Sequence, residues 1–267
     1  MASPHHINEA GLREFLSAHQ WPSGMQDAVL KSLNRIPMRY FVVDDSGSMA
    51  VSDGHRLVSN KMVNCTRWSE LVCGMKFHAG LAQAAGAVSE FRLLNSANPC
   101  LVGAQDGGEG YRTLMKALDG TPGGRTPLCR HINEITQQIR SMETQIRSAG
   151  HKVVVVIATD GESSDGDIVT ALKPLECLPV QIVIRLCTDE DNVVDYWNAI
   201  DNQLEAEIDV LDDLAGEAQE VCSANPWLNY AEPMHKLREF GIDIKEFDLL
   251  DEGKLSLEQV RVVCAAL

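Results

Sequence analysis

The chain has 267 residues, 45% of them hydrophobic, and a formal charge of −15. That length suits one α/β domain with additions, or one large domain, and the apolar content is ample for a core. The acidic balance argues against a nucleic-acid or anionic-membrane partner, because both select a basic face.

Residues 1–19 hold no basic stretch followed by an apolar core, so no secretory signal is expected. No apolar run approaches the ~20 residues that span a bilayer. The cysteines at 65, 73, 100, 129, 177, 187, 222 and 264 form no C-x-x-C pair and no regular framework. They read as reduced thiols, and a cytoplasmic location is expected. Cys73 and Cys187 fall inside apolar patterns, where a thiol behaves as a small hydrophobe. Residues 9–34 read as two short helices, with Leu12, Phe15 and Leu16 on one stripe and Met25, Val29, Leu30 and Leu33 on the other. Trp21-Pro22-Ser23-Gly24 separates them, Ser23 being the expected cap of the second. This N-terminal addition, residues 1–36, is too small to bury its own core and is expected to pack on the domain.

Tyr40-Phe41-Val42-Val43 reads as a buried strand that runs into Asp44-Asp45-Ser46-Gly47-Ser48. A carboxylate and two hydroxyls thus stand at the carboxyl end of a strand, where open α/β sheets bind ligands. Hard oxygen donors gathered there suit a divalent cation. Residues 49–64 read as a polar excursion, followed by a helix from about residue 66. On it Leu71, Met75, His78, Leu81 and Ala85 recur at helical spacing, which makes His78 an interior histidine. Residues 89–95 read as the second strand and 100–104 as an edge strand. Gly107-Gly108-Glu109-Gly110 is not a phosphate loop, since no Lys-Ser or Lys-Thr follows it.

Thr126 follows the turn Thr121-Pro122-Gly123-Gly124-Arg125 and precedes Pro127, which favours a helix start. Leu128, Ile132, Ile135, Ile139, Met142 and Ile146 then step by four and three to Gly150. Between two strands, that stripe reads as packing on a sheet rather than as a coiled coil. Val153-Val154-Val155-Val156-Ile157-Ala158 is the most apolar run in the chain, and Asp160-Gly161 closes it. Strands at 180–186 and 208–211 alternate with helices near 166–175, 190–204 and 212–223. The alternation predicts a mostly parallel sheet with helices on both faces. Residues 226–267 read as a C-terminal extension packed on the domain, with a helix at 234–240, a strand-like 242–247 and a final helix. Asp248, Asp251, Glu252, Gly253 and Glu258 invite comparison with a calcium loop. With Gly253 at the sixth position, however, Leu250 falls at the third and Gln259 at the twelfth, so the ligands are out of register. Ser256 with Gln259 reads instead as a capping box.

Asp44, Ser46 and Ser48 as D-x-S-x-S, Thr126 after a Gly-rich turn, and Asp160 in T-D-G after a Val-rich strand together resemble the metal-ion-dependent adhesion site (MIDAS) of von Willebrand factor A (VWA) domains. The resemblance covers roughly residues 37–225 and includes all five positions in order. It implies a Rossmann-like three-layer α/β/α sandwich, mostly parallel with one antiparallel edge strand. It implies Mg²⁺ (or Mn²⁺), with Ser46 and Ser48 ligating directly, Thr126 directly or through water, and Asp44 and Asp160 through water. With mostly neutral donors such a metal stays electron-poor, and an Asp or Glu from a partner protein would complete its shell. In family members that switch, the metal moves toward the Thr loop and a distant helix shifts.

Two other readings stand beside metal-dependent protein binding. One is an intracellular scaffold subunit, as some VWA proteins are beside AAA ATPases, with the metal purely structural and the site holding loops in shape. The other is a Mg²⁺-dependent hydrolase. Against the latter, no second aspartate lies two positions after Asp44 and no Gly-x-Ser-x-Gly elbow appears. His55 and His131 read as surface or packing histidines. Asp189, Glu190, Asp191, Asp212 and Asp213 read as acids favoured at helix N-termini, not as catalytic groups.

Overall fold

The computed structural model describes residues 7–58, 61–104, 106–188, 190–201, 203–205, 207–242 and 244–267, without the side chains of 191 and 207. Two helices come first, α1 (Glu9–Ala18) and α2 (Ser23–Arg35), and then strand β1 (Arg39–Val43). A 3₁₀ turn, Gly47–Ala50, leads to a hairpin of β2 (Gly54–Val58) and β3 (Lys61–Cys65). Next come α3 (Arg67–Ala85), β4 (Ser89–Leu93), β5 (Cys100–Val102), α4 (Glu109–Leu118), α5 (Leu128–Ser148) and β6 (Val153–Thr159). The chain continues through α6 (Ile168–Leu172), β7 (Val180–Leu186), α7 (Asp191–Asp201), β8 (Glu207–Leu211) and α8 (Leu214–Ala224). It ends in α9 (Glu232–Glu239), α10 (Lys245–Glu252) and α11 (Leu257–Ala266).

The main sheet has the order β5-β4-β1-β6-β7-β8, parallel throughout except for β5, which pairs antiparallel at the edge. Helices cover both faces, giving the Rossmann-like α/β sandwich expected. Alternation along each strand divides the core in two. Phe41, Val43, Val154 and Val156 join the core that holds α3. Tyr40, Val42, Val155 and Ile157 join the one under α5, α6 and α7. The α5 stripe lies on this second face, with Leu128, Ile132, Ile135 and Ile139 fully buried.

Both additions belong to the α3 side. Leu12, Leu16 and Val29 from the first two helices share its core with Leu237, Phe240, Phe247 and Leu250 from the last segment. Buried Arg39 fastens them. Its guanidinium donates to the carbonyls of Phe240 and Ile36 and to Ser32 Oγ, and lies 4.0 Å over the Phe240 ring.

Several expectations need correction. Ser23 is the first helical residue of α2, the cap position belongs to Pro22, and no side chain caps it. Within the polar excursion, residues 54–58 and 61–65 pair as a hairpin, and α4 fills a stretch for which no element was expected. Of the segment 242–247, expected to be strand-like, residue 243 lies outside the described residues and residues 245–247 open α10. Asp248 and Asp251 are therefore helical, which removes the calcium loop, whereas the Ser256–Gln259 capping box is present. Cys73 is exposed and Cys187 buried, and all eight cysteines are free thiols. No helix among the described residues is long and apolar enough to cross a membrane.

Candidate metal centre

In this strand order, β1 leads to β4 on one side, and the chain later returns to β6 on the other. The carboxyl ends of β1 and β6 therefore flank the topological switch point, the crevice where such sheets take ligands. Asp44 directly follows β1 and Asp160 directly follows β6, and the Asp44 N–H bonds to the Ala158 carbonyl across the gap.

Asp44, Ser46, Ser48 and Asp160 meet there. Asp44 Oδ1 accepts from the Ser46 N–H at 2.9 Å, which bends the loop back on itself. Ser46 Oγ lies 3.0 Å from Ser48 Oγ, and Ser48 Oγ donates to Asp160 Oδ1 at 2.8 Å. Asp44, Ser46 and Asp160 are buried, while Ser48 faces solvent. Burial pushes the Asp44 carboxyl above its ordinary pKa, and hydrogen bonds from Thr159 and Ser46 oppose that.

Thr126 reaches the same crevice by its backbone. The turn before it is tied to the Asp44 loop, Gly123 N–H donating to the Asp45 carbonyl at 2.7 Å and Gly47 N–H to the Gly124 carbonyl at 3.3 Å. Thr126 is tied to the loop after Asp160 as well, because its N–H donates to Ser164 Oγ and its carbonyl accepts from Ser164 N–H. Among the described residues, its hydroxyl makes no hydrogen bond to the other four. All three segments converge, but only four of the five side chains lie in one bonded group.

Thr159, Asp45, Asn95 and Arg67, none of them assigned to the site from the sequence, complete the centre. Thr159 Oγ1 donates to Asp44 Oδ2 at 2.7 Å and fixes that carboxylate from the end of β6. Asn95 clamps two loops together, giving its N–H and amide to Asp45 Oδ1 and exchanging hydrogen bonds with the Arg125 backbone. Gly124 admits this clamp. It adopts φ +101°, and a Cβ there would stand 2.3 Å from Asn95 Oδ1. Arg67, at the start of α3, donates to Asp160 Oδ2 at 3.1 Å and also pairs with Asp53 and Glu190. Asp53 foremost holds this guanidinium above its ordinary pKa. A T-D-G triplet and an Asp-rich turn signal Thr159 and Asp45, but nothing in the local pattern marks Arg67 or Asn95.

The other candidates lie elsewhere. His78 is fully buried against Glu239. His55 Nδ1 contacts Asp213 at 3.3 Å, and His131 contacts the Leu94 carbonyl. Asp213 caps α8 through the Gly216 N–H. Asp189 lies outside the described residues, as does the Asp191 side chain.

The donor set fits a small hard cation. With metal–oxygen distances of roughly 2.1 Å, adjacent octahedral ligands stand about 3 Å apart. The separation of the two direct donors, Ser46 and Ser48, matches that edge. Three carboxylates (Asp160, Asp53 and Glu190) pair with the Arg67 guanidinium, and Asp44 adds a fourth carboxylate bonded to Ser46 and Thr159, so carboxylates outnumber that cation. No cluster of three His, Cys, Asp or Glu suited to a metal occurs among the described residues. Any cation held here depends on the hydroxyls. No protein-family model matches this chain, and no curated protein matches it.

Proposed function

We propose that this chain is a protein-binding module of the VWA type, in which Mg²⁺ (or Mn²⁺) at a MIDAS-like centre recruits a carboxylate from a partner. The carrying observation is the bonded group Asp44–Ser46–Ser48–Asp160 at the switch crevice, with exposed Ser48 at its mouth. Ser46 and Ser48 would hold the ion directly, while Asp44 and Asp160 would hold it at the second remove and orient the hydroxyls. The ion supplies a Lewis-acidic position for an incoming Asp or Glu. Thr159 keeps Asp44 in place, and Asn95 keeps the Thr126 loop within reach. We read the centre as binding rather than catalytic, because His55 and His131 are engaged elsewhere.

One observation favours the second reading, the scaffold subunit, in a form whose clasp would hold even without the structural metal. Ser48 and Arg67 between them satisfy both oxygens of Asp160 from within the chain. Titrating the protein with Mg²⁺ or Mn²⁺ separates the two readings. The module reading expects one site, weakened by about tenfold or more in Ser48→Ala, as loss of a direct ligand implies, with the melting temperature in the absence of metal unchanged. A pull-down in Mg²⁺ should then capture a partner that EDTA releases and that Ser46→Ala does not capture. No metal uptake, or capture indifferent to EDTA, would leave the scaffold.

A further inference from the structure

The β2–β3 hairpin rises from the rim of this centre. It begins six residues after Ser48. Asp53, just before it, shares Arg67 with Asp160, and the His55 N–H donates to Glu70 Oε2 on α3. Nine large apolar side chains are exposed among the described residues, and five of them cluster here: Val51, Leu57, Val58, Met62 and Val63. A two-stranded ribbon is marginal by itself in water, and one that also shows apolar side chains to solvent is suited to a covering partner.

The pairing register sorts the hairpin into two faces. His55 and Leu57 stand opposite Asn64 and Met62, and His55 turns that face toward Asp213 at the cap of α8. Arg56 pairs with Val63 and Val58 with Lys61, so the opposite face alternates two cations with two β-branched apolar residues. Residues 54–65 contain no acid, in a chain whose formal charge is −15. Arg56 and Lys61 make no ion pair among the described residues, whereas Arg39, Arg67, Arg92, Arg185 and Arg238 are buried and held by polar partners.

We propose that the Arg56–Val58–Lys61–Val63 face of the hairpin is a docking surface for an acidic, apolar extended segment of a partner protein. The inference rests on the metal-bridged reading, since that same partner would bring its carboxylate to the Ser46–Ser48 loop. Complementary charge selects the segment and aligns it. Its apolar residues cover Val58 and Val63, and the outer edge of β3 offers backbone groups for strand pairing.

The test uses the whole chain in Mg²⁺ and fluorescence anisotropy with synthetic peptides. Each carries a central Asp, flanked by alternating Val and Glu in one series and by alternating Val and Lys in the other. Wild type should prefer the Glu-flanked peptide by roughly fivefold or more, the scale of two exposed charge pairs. Arg56→Glu/Lys61→Glu should reverse that preference, and Val58→Ser/Val63→Ser should weaken both series. Equal affinities on wild type, or a preference unchanged in the charge-reversed variant, would overturn the docking surface while leaving the metal reading in place. A preference that survives both EDTA and a central Asp→Asn change would uphold the surface and sink the metal reading. No peptide binding at all would overturn both. Sedimentation velocity identifies the remaining occupant: a dimer abolished by Arg56→Glu/Lys61→Glu would make it a second copy and refute the partner segment.

Discussion

At the scale of single residues, buried charge is compensated by partners that sit far away in sequence. Glu239 takes Arg185 on one oxygen and His78 on the other. His78 stacks between Phe41 and Phe240, and its Nδ1 has no hydrogen-bond partner. Protonation would leave that buried N–H unsatisfied, so burial holds the pKa below the ordinary 6.5 in spite of Glu239. The unfolded chain takes up a proton near 6.5 that the folded chain refuses. The contribution of His78 to stability is therefore whole above that pH and falls as pH drops below it. Burial shifts His131 the same way. Urea midpoints should thus decline from pH 7.5 to pH 5.5, and His78→Gln should flatten the decline; an equal slope in the variant would refute the assignment. His78 was legible as an interior residue from helical spacing. Its partner was not, because Glu239 lies 161 residues away.

At the scale of elements, local pattern succeeded where one face of a strand or helix meets one core. The Val-rich β6 and the Ile stripe of α5 announce themselves. It failed at 242–247, where Ile242, Ile244 and Phe247 mimic a strand. Phe247 and Leu250, three residues apart, are both fully buried, a helical spacing that fits the start of α10 at Lys245. The turn into α11 depends on Asn225, fully buried at the end of α8. Its amide donates to the Leu250 and Gly253 carbonyls, and its Oδ1 accepts from the Leu255 N–H. Asn225→Ala leaves those groups unpaired and should cost about 3 kcal/mol, the usual scale for stranded buried polar groups. Ser256→Ala, which removes only the exposed cap of α11, should cost about 1 kcal/mol. Chemical denaturation of both variants checks the order, and equal losses would show that Asn225 does not organise the turn.

At the scale of the whole molecule, the terminal additions are part of the main core rather than ornaments on it. Leu237, Phe240 and Phe247 are buried with Phe41 and Phe91 beneath the sheet. Exposing three such side chains forfeits about 6 kcal/mol, comparable with the whole stability of a typical domain. A chain ending at residue 225 should therefore bind ANS and lose its cooperative melt; a cooperative melt near that of the full chain would contradict this. The sequence by itself determined the alternation of strands and helices, and it set oxygen donors at the ends of β1 and β6. Period and burial act over a few neighbouring residues, so they are written locally. Only the tertiary structure decided that Asp44 and Asp160 face one crevice, that Arg67 and Asn95 brace it, and that Thr126 arrives by its backbone. The contacts of the centre join residues up to 123 positions apart, and strand order, which no local pattern encodes, brings them together.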